Sequence, residues 1–314
     1  MAISGELGDE RSVELSGGVI RYRERGEGPA IVFVHGLLVN GDLWRKVVPR
    51  LAATHRCVTP DWPLGAHAEP MRPGADLSPV GVARLVGEFL AALDLRDVTV
   101  VANDTGGAIT QILMTRWPER IGRVVLTPSD CFERFFPPPF STLPRLLRIP
   151  GMTWLLSRVG QLHPLHRTPL VFGLVTRRAI PREIVRSYLG PMRRSAGVRH
   201  DLRRFVTGVH RRYTLAAAER LPAFDRPVLL AWASEDRLFP LALARRLAAV
   251  LPNARLVEIP DSYTFVPEDQ PDRLVELIGA TTAGGFAERH PTHPAGPVED
   301  HPGGADLDGS PAVR

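Results

Sequence analysis

The sequence predicts an α/β protein: a mostly parallel sheet flanked by helices, carrying an inserted helical cap. Three observations predict it. Short apolar runs rich in β-branched residues, at 30–34, 56–59, 98–102 and 123–127, alternate with stretches of helical period. That alternation is what parallel strands joined by crossover helices require. The rhythm then stops between 132 and about 221, where prolines at 137, 138, 139, 144, 150, 164, 169, 181 and 191 punctuate helical stretches and nothing reads as a buried strand. It resumes with strands at 228–233 and 255–259 and helices at 241–251 and 270–280.

Taken in order, 12–17 and 19–25 read as two strands turning at Gly17-Gly18, a hairpin signal. The apolar strand 30–34 ends at His35-Gly36, and a helix is expected over 42–51. The strand 56–59 runs into Pro60-Asp61-Trp62-Pro63-Leu64-Gly65, and 79–93 has the apolar spacing of an amphipathic helix. The expected organisation is a core of residues 1–130 and 222–280, a helical cap at 131–221, and a disordered tail at 281–314. Gly, Pro, His, Asp and Ala dominate that tail and leave little to bury, so His290, His293 and His301 are read as solvated.

Composition narrows the function classes. The 314 residues are 44% hydrophobic and 23% charged, ordinary for a globular protein with a substantial core. No run reaches the ~18 apolar residues of a membrane span, and the polar, acidic start MAISGELGDERS does not resemble a secretory signal. Cys57 and Cys131 have no metal-ligand spacing, so no metal or cofactor is expected, and a reducing, cytoplasmic setting is. Lys46 is the single lysine. Residues 131–221 hold 17 arginines against Glu133, Glu183, Asp201 and Glu219, a balance of +13 within a chain of net charge +5. That segment is either a solvated helical surface or a positive field over a binding mouth, which would favour an anionic small molecule. No nucleic-acid-binding module accompanies the arginines, so neither nucleic acid nor a membrane is expected as partner, and oligomeric state is left open.

The chain is organised around VTVVANDTGGAITQ, residues 98–111. An apolar strand meets the turn Asn103-Asp104-Thr105-Gly106-Gly107, and a helix follows to about Trp117. Strand, sharp turn and helix in that order form the setting of a nucleophile elbow. Asp104 at the apex reads either as a plain helix N-cap or as a reactive carboxylate above the strand ends.

These motifs, in this order, resemble the α/β-hydrolase superfamily over roughly residues 12–280. His35-Gly36 follows the third strand, the elbow follows the fifth, and the cap follows the sixth. Leu230-Ala231-Trp232-Ala233-Ser234-Glu235-Asp236, with Pro240 beyond it, resembles the strand end that carries the acid of the family's triad. Ile259-Pro260-Asp261-Ser262 resembles the start of the histidine loop. An Asp at the elbow is similar to haloalkane dehalogenases, fluoroacetate dehalogenases and epoxide hydrolases. The resemblance implies that Asp104 attacks carbon to form an ester, that the N–H groups of Leu37 and Thr105 form the oxyanion hole, and that Asp236 orients the base.

The base itself departs from the pattern. Thr264 stands where the family places histidine, and a threonine hydroxyl is too weakly basic to activate water. Thr105 and Leu37 stand where haloalkane dehalogenases place Trp and a polar residue for halide, and the cap holds only Tyr188 and Tyr213. Candidates near the pocket are His35, read chiefly as structural, His67 in the loop after the fourth strand, the cap histidines His163, His166, His200 and His210, and Tyr263. Three functions follow: a hydrolase with a displaced base, a lyase, isomerase or cyclase using Asp104 as acid or base, and a ligand-binding protein that kept the pocket.

Overall fold

A computed structural model describes residues 2–169 and 171–284. Its strands are β1 (Asp9–Leu15), β2 (Gly18–Arg25), β3 (Ala30–Val34), β4 (Arg56–Pro60), β5 (Val98–Asp104), β6 (Ile121–Ser129), β7 (Val228–Ala233) and β8 (Ala254–Ile259). They form one eight-stranded sheet in the order β1-β2-β4-β3-β5-β6-β7-β8. The β1–β2 hairpin is antiparallel, as is β2 against β4, and every pair from β4 to β8 is parallel. β5 and β7 are apolar on both faces and almost wholly buried, as a central parallel strand covered by helices must be.

The helices are α1 (Val48–Leu51), α2 (Pro79–Ala92), α3 (Thr105–Arg116), α4 (Leu143–Leu146), α5 (Met152–Val159), α6 (Arg182–Arg194), α7 (Ala196–Gly208), α8 (Arg212–Ala218), α9 (Leu241–Val250), α10 (Val266–Asp269) and α11 (Pro271–Thr282). α3 is buried from Thr105 to Met114, with α2 and α8 packed on it. Helices α4 to α8 lie between β6 and β7, and no strand occurs among the described residues of that insertion.

Three expectations are corrected. The helix expected over 42–51 is instead a 3-10 turn, Gly41–Trp44, followed by the four-residue α1. Pro49 has no N–H and a fixed φ, so it suits the first turn of a helix and not its interior. β6 runs two residues past the expected Thr127, which delivers Asp130 to the carboxyl edge of the sheet. The tail expected from 281 also begins too early, because α11 continues to Thr282 and buries Thr281; the remainder from 285, with its three histidines, lies outside the described residues.

Candidate active site

Asp104 sits between the end of β5 and the start of α3 with φ 55° and ψ −132°. That is a strained conformation for a residue with a side chain, and such strain is characteristic of functional turns. Its carboxylate makes no capping bond to the helix, so the plain N-cap reading fails. The Leu37 N–H donates to Asp104 Oδ2 at 3.1 Å instead, and the Thr105 N–H lies near enough to draw on the carboxylate's charge. Gly36 makes this approach possible, because a Cβ there would collide with the Asp104 side chain. A Cβ at Gly107 would likewise meet Ser129, so the tight passage of α3 beside β6 requires glycine.

Asp104 lies deep in the protein yet keeps part of its surface open to a cavity. Burial pushes its carboxyl up to about 6, against the pull of the two N–H groups. It can therefore carry or lose a proton near neutral pH.

Asp236, just beyond β7, accepts from the N–H groups of Leu238 and Phe239 at 2.7 and 2.6 Å through Oδ1. Its Oδ2 accepts from the Thr264 hydroxyl at 2.9 Å. Burial pushes Asp236 up to about 6, and the Asp104 charge adds to it. The structure thus brings together Asp104, Asp236, Thr264, Leu37 and Thr105, five positions singled out by the sequence.

Two further residues were not singled out. Asn103 is fully buried and donates through Nδ2 to Thr127 Oγ1 at 2.7 Å and to the Thr264 carbonyl at 2.6 Å. It fastens the Thr264 loop to the elbow. Asp130 is fully buried, its Oδ2 accepts from Thr105 Oγ1 at 3.1 Å, and its Oδ1 has no partner. Burial first, and the Asp104 charge second, hold its carboxyl well above the usual carboxylate range. The available signal was position, since ligands gather at the carboxyl ends of parallel strands.

The cavity above Asp104 measures about 360 Å³. Leu37, Thr105, Leu238 and Phe265 form its floor, and Phe136, Phe140, Leu143, Leu156, Phe172 and Met192 are among the insertion residues that roof it. No charged side chain other than Asp104 lines it among the described residues. Of the two readings left open for the arginine-rich segment, the positive field over a binding mouth therefore finds no cation in this lining. Arg177 and Arg178 pair with Glu235 and Asp261 on the rim of the core, and together with a 2.6 Å bond from the Phe265 N–H to the Val175 carbonyl they clamp the insertion down.

The remaining candidates lie elsewhere. His35 is fully buried beneath the Leu37 loop, with Nε2 accepting from the Trp62 N–H at 2.8 Å. Burial pushes its pKa down to about 3, so it stays neutral and structural. His67 is buried against Asp201 at 3.2 Å, outside the cavity lining. Tyr263 is stacked between the guanidinium groups of Arg237 and Arg177, 4.4 and 5.4 Å from its ring centre, and does not line the cavity. His166 bonds the Gly160 carbonyl, and His163, His200 and His210 are exposed. No histidine among the described residues lines the cavity. No group of three or more His, Cys, Asp or Glu there is arranged to hold a metal ion.

Residues 31–277 match the family model described as Alpha/beta hydrolase family. Haloalkane dehalogenase 2 of Mycobacterium tuberculosis is 27% identical, over 86% of this chain and 93% of its own. A cis-3-alkyl-4-alkyloxetan-2-one decarboxylase of Shewanella oneidensis is 27% identical, over 84% of this chain and 85% of its own. Among solved structures, a haloalkane dehalogenase from Bradyrhizobium elkani superposes with a TM-score of 0.69 at 21% identity, covering 88% of this chain and 97% of that one. At that identity the likeness concerns the fold alone.

Proposed function

The chain belongs to the alpha/beta hydrolase family, and from that premise we propose an enzyme for a small apolar substrate in which Asp104 attacks carbon and the cycle closes without an activated water. The insertion acts as the cap over the cavity. One observation carries the reading: Asp104 opens onto an apolar cavity whose described lining holds no base, while Thr264 is bonded to Asp236. An ester formed on Asp104 has no partner here to activate the water that would cleave it.

A strained cyclic ester of the kind named for the Shewanella relative suits such a site. An Asp104 oxygen attacks the ring carbon that bears the ring oxygen, and that carbon–oxygen bond breaks to leave a carboxylate on the neighbouring carbon. Loss of carbon dioxide sends the electron pair into a new carbon–carbon double bond as the bond to Asp104 breaks. The Asp104 carboxylate is regenerated with no proton and no water consumed. The Leu37 N–H, with the Thr105 N–H close beside it, holds the other carboxylate oxygen and orients the attack. Asp236 and Asn103 keep the Thr264 loop in place.

A second reading, hydrolytic dehalogenation, is favoured by the mycobacterial relative. Against it, the Thr105 hydroxyl is engaged by Asp130 and Leu37 is apolar, so neither offers a side-chain donor to a departing halide.

The test is incubation with a cis-3-alkyl-4-alkyloxetan-2-one in oxygen-18-labelled water. The expected products are an alkene and carbon dioxide, with no label in the Asp104 peptide and no product from Asp104→Ala. Label accumulating in Asp104, with a hydroxy product, would establish the hydrolytic reading instead.

A further inference from the structure

Five of the six large apolar side chains exposed among the described residues lie in one short stretch: Ile149, Trp154, Leu155, Val159 and Leu162. They are centred on α5, of whose eight residues only Ser157 is buried. An ordinary surface helix of a globular protein buries an apolar stripe; this one turns apolar side chains outward. Between Glu133 and Glu183 the sequence has eight arginines and no acidic residue. Arg145, Arg148, Arg158 and Arg167 in that stretch are exposed and have no carboxylate partner among the described residues. The Arg158 guanidinium lies 5.2 Å from the centre of the Trp154 ring.

An exposed apolar helix face within an arginine-rich stretch that holds no carboxylate is the pattern of a segment that rests in the interface of an anionic bilayer. We propose that the face built on α5 docks the protein on an anionic lipid surface. No spanning helix is needed, and among the described residues no helix is long and apolar enough to cross a membrane. The sequence reading expected no membrane partner, and this surface revises it. Charge complementarity selects the surface, since the insertion carries +13 in a chain of +5 overall. Position supplies the purpose: Leu156, Val159 and Gly160 of the same stretch line the cavity. A lipophilic molecule dissolved in the bilayer would then have only the α5 wall to pass. That purpose rests on the proposed function; the docking does not.

The experiment is flotation of the full chain with vesicles of phosphatidylcholine alone, and of phosphatidylcholine mixed with phosphatidylglycerol. The chain is expected to float with the mixed vesicles and not with the neutral ones. Arg145→Glu combined with Arg148→Glu, and separately Leu155→Asp, should each weaken partitioning at least about tenfold. All three positions are exposed, so the variants should melt with the parent. Asp104→Ala should float unchanged, which separates this proposal from the chemistry at Asp104. Equal binding to both vesicle types, or no binding to either, would overturn it. So would a dimer by light scattering that Leu155→Asp dissolves, because a second copy would then be what covers the face.

Discussion

The Thr264 hydroxyl donates to Asp236 Oδ2 at 2.9 Å, so the residue that the family resemblance matches to the triad acid is bonded directly to the one it matches to the histidine. The three acceptor contacts of Asp236 come from two backbone N–H groups and this one hydroxyl. Thr264→Val keeps the shape and removes the donor, leaving a buried carboxylate oxygen unsatisfied. The expected loss is about 1–3 kcal/mol in urea unfolding at neutral pH. The loss should shrink in acid, where Asp236 is protonated and no longer needs the donor.

Asp104 should make the protein less stable as pH rises through the acid range. Its carboxyl is pushed up to about 6 in the folded protein from an ordinary value of 3.8. The native state therefore holds a proton that the unfolded chain has already released. Stability from this group is full below the ordinary value and is lost as pH rises through about 6. Asp104→Asn removes that titration and keeps a similar shape. The variant should gain about 1–3 kcal/mol over the parent at neutral pH, with the gain vanishing near pH 4. Activity should fall by at least about a thousandfold. A variant that retains activity would remove Asp104 from the chemistry.

Asn103 holds two neighbours that are distant in sequence, Thr127 and Thr264, through a single amide. Asn103→Ala strands the Thr264 carbonyl in a fully buried site. The expected cost is about 1–3 kcal/mol in thermal or urea unfolding. A positioning role predicts more than that loss. Hydrogen exchange should speed up at the amides of 262–265, and kcat should fall further than KM changes. Unchanged exchange in that loop would reduce Asn103 to a packing residue.

How far the sequence revealed this arrangement depended on whether the signal was local. The strands at β3, β5 and β7 are legible because a strand buried on both faces must be a continuous apolar run. Asp104 is legible because the turn around it needs small residues. Asp130 is not, since Pro128-Ser129-Asp130 looks like a loop until the pairing with β5 extends β6 to Ser129. His67 and Tyr263 were placed in the right loops, but loop membership does not fix where a ring points. Asp201 holds the His67 ring outside the cavity lining, and two arginines lie against the Tyr263 ring. The arginine excess was a true property of the insertion whose direction the sequence could not supply.

That direction has a consequence for ligand binding. The cavity walls are leucines, phenylalanines, valines and prolines, and Asp104 is the one charged side chain among the described lining residues. An anionic ligand would have to bring its charge beside Asp104 with no cation in the described lining to offset it, at a cost that an apolar, low-dielectric site magnifies. A neutral ligand of matched shape should bind at least about tenfold more tightly than its carboxylate analogue in isothermal titration. Neutral-ligand affinity should change by less than about twofold between low and high salt, because no screened attraction contributes to it. Acidification through about 6 should narrow the gap between the two ligands by protonating Asp104. A steep loss of neutral-ligand affinity with salt would instead place an exposed arginine at the binding step.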